Sequence, residues 1–300
     1  MSSITVQQLF KFLCADVQRI IKLDVDVVDK GFSLPHFSAN KLKDIEKYFI
    51  KYSRDAGNFK ITSVEELLEY VVIFCHELTH CLNKHSGYIA ENNRENIAIE
   101  THADFQGSRI ATALYTYGVN LKKILKEDFK YPDKLKKDKT AYCKLMGKVF
   151  SKLYYDFYLE GDSTSYPDAF KRVGMNIAGV ASFFYRSPHF LQARGEYVGM
   201  HLLMILALDK GIIDSNYDES KPPEKFDFIH DVVSVHRKIQ GDSTRITDIE
   251  SPMFEPIFGT NYHKNDTDRL IQKYEMRDEI LDYAKKKDLL HLINEDIFKE

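Results

Sequence analysis

The chain has 300 residues, 44% of them hydrophobic and 29% charged, which is the balance of a globular protein long enough for one two-lobed unit or two ordinary ones. A net charge of −3 and a pI near 6.4 leave no electrostatic footprint for nucleic acid and no pull toward anionic membranes. No apolar run reaches bilayer length, residues 1–28 lack a secretory-signal pattern, and Cys14, Cys75, Cys81 and Cys143 have no paired spacing, so the sequence reads as a cytoplasmic protein with reduced thiols.

Taken in chain order, residues 6–22 set Leu9, Phe10, Leu13, Val17, Ile20 and Ile21 on a helical stripe. Residues 22–27 alternate charged and apolar side chains, which predicts an edge strand able to pair with an extended peptide, and residues 31–35 read as a turn. Ser63 with Glu66 forms a capping box, and the apolar face continues through Val64, Leu67, Leu68, Val71, Val72, Cys75 and Leu78. That helix is predicted to run to about Lys84, with Ser86-Gly87 ending it. A second helix is predicted from Asn92 or Asn93 to Tyr117, with Gly118 as a left-handed terminator.

Residues 122–139 are lysine-rich and contain Pro132, which reads as a solvated connector or, alternatively, a contact patch for an acidic partner. Helical patterns follow at 141–159, 167–184 and 188–208, the last opened by Ser187-Pro188. Its apolar run, residues 198–208, reads as a buried core helix. A charged helical pattern closes the chain at 266–287. The expected fold class is α+β, mainly helical with a small sheet. The expected organisation is a catalytic lobe at 1–120, a connector at 121–139 and a helical lobe at 140–300.

Residues 76–80 read His-Glu-Leu-Thr-His. On a helix, positions i and i+4 lie one above the other, so His76 and His80 present two imidazoles to one point. Glu77 is turned by about 100° from His76, which keeps it off a metal there but within reach of a water beside it. A catalytic zinc usually takes three protein ligands. After nineteen intervening residues, residues 100–104 read Glu-Thr-His-Ala-Asp, again with two acidic groups one turn apart. Glu100 is the expected third ligand, and Asp104 the group that accepts the second ring N–H of a ligand histidine. Ala103 and Gly107 share that stripe and permit the two helices to approach closely. An H-E-x-x-H arises by chance in about a few per cent of chains of this composition, and the downstream E-x-x-x-D makes coincidence roughly a hundredfold rarer.

The combined pattern resembles the gluzincin class of zinc metallopeptidases, including the thermolysin-like enzymes and the minigluzincins. The resemblance covers roughly residues 63–117. It implies that His76, His80 and Glu100 bind zinc, that Glu77 acts as the base, that Asp104 supports a histidine ligand, and that the substrate is a protein or peptide. A looser resemblance connects the chain to Lit-type phage-exclusion peptidases.

Several alternatives stand beside this reading. His102 could replace Glu100 as third ligand, and His85 reads as a surface histidine near the metal rim. His230-Asp231 is the dyad of metal-dependent phosphohydrolases. An inactive zinc-binding scaffold would use the same ligands without needing Glu77. The residue types suited to stabilising an oxyanion are Tyr166, His189, Arg194, Tyr197 and His201, on a segment that could pass over the site. Cys75 and Cys81 read as small core residues.

Overall fold

A computed structural model describes residues 4–31, 37–41, 47–131, 138–159, 166–187, 194–216, 228–243, 249, 254–265 and 268. Helix α1 spans Val6–Ile21, capped by Thr5 and Gln8, whose side chains bond to each other's backbone N–H. Its predicted stripe is buried. Lys22 closes the helix in a left-handed conformation, φ 59°, so the strand expected from residue 22 begins three residues later, as β1, Val25–Asp29.

β2 is Phe37–Lys41 and β3 is Tyr48–Tyr52. The strands lie in the order β1-β3-β2, with β1 parallel and β2 antiparallel to β3, and Ile50 paired with both Val27 and Ala39. β1 is an edge, as its charge pattern predicts. One face of the sheet closes over α1 and a helix that follows, where Phe10 meets Phe37 and Phe74 at ring separations of 5.6 and 5.2 Å. Such tilted aromatic contacts add to the burial of their area. The short α2, Arg54–Asn58, joins sheet to helix.

α3 spans Val64–Leu82 and carries the predicted capping box, with Ser63 accepting from the Glu66 N–H and Glu66 accepting from Ser63. A 3₁₀ turn at His85–Gly87 leads to α4, Asn93–Tyr117, which Asn92 caps. Gly118 then departs from expectation. Its φ is −67° and ψ 125°, extended rather than left-handed, because α5, Val119–Glu127, starts at the next residue. The buried carboxylate of Asp16 accepts from the N–H groups of Val119, Asn120 and Leu121, satisfying the start of α5. A Cβ at Gly118 would sit 2.7 Å from Asp16 Oδ2, so space rather than φ demands the glycine there.

The first part of the expected connector is therefore helical, with Leu121, Ile124 and Leu125 buried. Residues 132–137, including Pro132, lie outside the described residues. α6, Lys139–Leu153, starts two residues before the pattern expected for 141–159 and runs on into a π-helical turn at Tyr154–Tyr158. α7, Ala169–Arg186, is capped by Asp168. Ser187 ends α7, and whether a helix starts at Pro188 falls outside the described residues.

α8, Arg194–Ile205, corrects the expectation of a fully buried helix. Met200 and Met204 are buried, whereas Val198, Leu202, Ile205 and Leu206 are exposed. The helix lies against α6 and α7 from one side, so only one stripe is covered by the described residues. α9, Lys210–Asn216, α10, Phe228–Gln240, and the four-residue α11, Glu255–Phe258, complete the described elements. The charged pattern at 266–287 lies outside them, apart from Asp268. The protein is mainly helical with one small three-stranded sheet. Among the described residues the main hydrophobic core extends from Ile4 to Phe258, α4 packs on α3, α7 and α10, and a smaller cluster of Ala98, Ile99 and Val235 lies between α4 and α10. Among the described residues, no helix is long and apolar enough to cross a membrane.

Candidate metal centre

The site forms where α3 and α4 come closest. Gly107 of α4 lies against the backbone of α3, and a Cβ there would stand 2.9 Å from His76 Cα and 3.1 Å from the carbonyl carbon of Cys75. Real Cβ contacts do not occur at the shorter distance, so this glycine sets the spacing of the two helices. Ala103, one turn earlier, is fully buried. The close approach brings Glu100 to the two histidines of α3.

His76 Nε2 lies 3.1 Å from His80 Nε2 and 3.1 Å from Glu100 Oε2, while His80 Nε2 is 3.7 Å from the same oxygen. These three side chains form a group that could hold a metal ion. Donors bound at about 2.0–2.1 Å to a small tetrahedral ion stand roughly 3.3 Å apart, which matches the observed triangle. Among the described residues no other group of histidine, cysteine, aspartate and glutamate side chains meets that condition.

Charge around His76 is arranged by two carboxylates. Its Nδ1 lies 2.9 Å from Asp104 Oδ1, and its Nε2 faces Glu100. Burial by itself would lower the pKa of the ring, but the hydrogen bonds to Asp104 and Glu100 outweigh it and push the value up to about 10. Glu100, although buried, is held well below the usual carboxylate range by His80 and His76. The surroundings of the His76 ring thus favour positive charge.

Asp104 is itself anchored by α7, where the sequence shows a helical pattern but no motif that marks a functional residue. Arg172 of α7 makes a bidentate pair with it, Nε to Oδ2 at 2.8 Å and Nη2 to Oδ1 at 2.9 Å. The guanidinium also stacks on Tyr158, 3.9 Å from the ring centroid, and Asn176 donates to the Tyr158 hydroxyl. Asp104 is buried, which raises its pKa, yet Arg172 and His76 more than offset this and lower it. α7 reaches this position because Gly179 lets it lie on α4: a Cβ there would fall 3.0 Å from Ser108 Cβ.

Glu77 is half-buried, and its charge is felt by Tyr166 and by Lys30 at the end of β1. Of the residues proposed to stabilise an oxyanion, Tyr166 is the one among the described residues on which Glu100 and Glu77 act electrostatically. Its ring is 5.1 Å from the Arg172 guanidinium, and its pKa is pushed up to about 12 by Glu100 first, then by burial and Glu77. Tyr197 instead packs on Tyr185, and His201 lies on α8, against α6 and α7. His189 and the Arg194 side chain lie outside the described residues.

Of the other histidines weighed from the sequence, His102 and His230 stay outside the triangle, as expected with Glu100 as third ligand, whereas His85 departs from its expected surface position. His102 does not join the triangle; it is buried on another face of α4, where the Tyr262 hydroxyl lies 2.7 Å from its Nδ1. His85 is not a surface residue, being only 6% exposed, because the 3₁₀ turn folds it back onto His80. His230 is exposed and Asp231 is bound by Arg94, and among the described residues this pair belongs to no group able to hold a metal. Cys75 and Cys81 are buried core residues, and all four cysteines are free. Of the two sheet edges, β2 packs on α3 and on the turn at His85–Gly87.

No protein-family model matches the chain, and neither a curated protein nor a solved structure matches it. The site's reading therefore rests on its own geometry.

Proposed function

We propose that the chain is a zinc-dependent metallopeptidase of gluzincin type, in which His76, His80 and Glu100 hold the metal. The triangle of His76 Nε2, His80 Nε2 and Glu100 Oε2 carries this reading. Two imidazole nitrogens and one carboxylate oxygen are a donor set that zinc takes in catalytic sites, with a fourth position left for solvent or substrate. Bound there, zinc supplies a Lewis acid that acidifies a water and polarises a carbonyl.

The protein's own groups do the rest. Glu77 takes the proton from the attacking water and delivers it to the leaving amine. Tyr166, half-buried and raised in pKa, remains a protonated donor at neutral pH and is the group we assign to the developing oxyanion. Asp104 fixes the ring of His76, and Arg172 balances its charge. We assign an extended substrate to β2 rather than to the β1 edge read from the sequence, because β2 packs on α3, which carries the two histidines, while β1 packs on α1.

Glu77→Gln tests the proposal, since the amide keeps the shape and the three ligands but cannot take a proton. Cleavage of an unfolded protein such as casein should fall at least about 10²-fold, with zinc content unchanged. Wild-type protein that binds zinc but cleaves no member of a broad peptide library would favour a metal-bound scaffold instead. A Glu77→Gln variant as active as wild type would remove the base from the mechanism.

A further inference from the structure

A row of imidazoles leaves the site on the side of His80. His80 Nδ1 is 2.8 Å from His85 Nδ1, His85 Nε2 is 2.9 Å from His236 Nε2, and His236 Nδ1 is 2.7 Å from the backbone carbonyl of Val232. His85 and His236 are buried, and His236 comes from α10, 151 residues further along the chain than its neighbour. The metallopeptidase reading gives these two rings no role.

We propose that His85 and His236 form a neutral relay that sets the tautomer and orientation of His80, leaving its Nε2 bare and aimed at the metal position. The inference builds on the metal reading above and follows from counting protons along the row. A carbonyl oxygen only accepts, so the Val232 oxygen requires a proton on His236 Nδ1. The ring of a neutral His236 then offers a lone pair at Nε2, and the 2.9 Å contact needs a proton on His85 Nε2. From the other end, a His80 that ligates through Nε2 carries its proton on Nδ1 and must donate it. The acceptor at 2.8 Å is His85 Nδ1, which is bare in the tautomer already required. Both ends demand the same arrangement, and three links use one proton from each of three rings.

Burial supports the neutral state, since both rings are shielded from solvent and a charge on either would be desolvated. Stacking fixes the planes as well. The His236 ring lies 4.7 Å from Tyr262 at an interplanar angle of 26° and 4.2 Å from His102. The two histidine ligands are thus supported by opposite means. A carboxylate raises the basicity of His76, whereas uncharged rings orient His80 without adding negative charge. The relay also ties the metal position to α10, so that α10 is a positioning element for a site built on α3 and α4.

Long-range proton–nitrogen NMR on protein labelled at histidine reads the tautomers directly. The expected result, with and without zinc, is His85 protonated at Nε2 and His236 at Nδ1; with zinc, His80 is protonated at Nδ1. A proton on His85 Nδ1 or on His236 Nε2 overturns the relay. Chelator competition at fixed pH gives the second readout. His85→Phe, which removes the acceptor, should weaken zinc about 10–100-fold. His85→Asn places an amide oxygen close to the position of Nδ1 and should recover most of that loss, although it cannot reach His236. Equal affinities for wild type and His85→Phe, or no recovery in His85→Asn, would also overturn it. Protein that shows the expected tautomers yet binds no zinc sinks the metallopeptidase reading and leaves the relay standing.

Discussion

The two sides of the candidate metal position are built from different chemistry. On the α7 side, His76 leans on Asp104, which in turn holds a buried guanidinium that stacks on Tyr158. On the α10 side, His80 leans on His85 and His236, and the row ends on a backbone carbonyl. One arm is ionic and the other is neutral. A buried ionic arm is strong only while every charge in it is matched, because leaving one unmatched costs far more than the pair contributes. The neutral arm carries less at stake and works through direction rather than charge. Two ligands one helical turn apart can therefore be held by arms that should fail in different ways.

Removing a ligand should have the largest effect and should break both arms alike. Glu100→Ala is expected to abolish zinc binding at stoichiometric metal, as measured by metal analysis after gel filtration, whereas His102→Ala retains it. The opposite result would place the third ligand on His102 and undo the triangle.

Breaking the ionic arm comes next. Arg172→Met preserves the packing on Tyr158 but leaves the Asp104 carboxylate buried with His76 as its remaining ionic partner. A loss of about 3–5 kcal/mol in unfolding free energy is expected, read from denaturant midpoints in metal-free protein. A change below about 1 kcal/mol would mean that solvent screens this pair and that the contrast between the arms is overstated.

The smallest effect sharpens the comparison. Asp104→Asn keeps a hydrogen-bond acceptor for His76 Nδ1 but removes the charge. Zinc affinity, measured on folded protein because Arg172 loses its carboxylate partner, should fall about 10–100-fold. Set beside His85→Asn, which exchanges one neutral acceptor for another, it separates the value of charge from the value of direction. Equal zinc affinity in Asp104→Asn and wild type would show that orientation alone matters on both sides.

Local chemistry made much of this arrangement legible in the sequence. The i, i+4 spacing of His76 with His80 and of Glu100 with Asp104 is a property of one helix turn, and the capping box at Ser63 and the cap at Asn92 fix where those helices begin. Gly107 was legible as a small residue on the stripe, since a close crossing of two helices needs one. The α1 stripe and the edge position of β1 followed from periodicity in the same way.

What the sequence by itself determined ends where interactions cease to be local. Gly118 takes an extended conformation because Asp16, more than a hundred residues earlier, caps the helix that follows it. The apolar run in α8 shows hydrophobicity but not how much neighbouring structure covers it, and only its Met200–Met204 side is covered among the described residues. Neither Arg172 nor His236 carries any motif, for each gains its role from lying across α4 from the ligands. His85 looked exposed because it follows a helix end, and it is the 3₁₀ turn together with α10 that buries it. The candidate ligands are written in helical spacing, a short-range geometry every chain shares. The supports of those ligands depend on which distant helices pack on α4, and only the tertiary structure decided that.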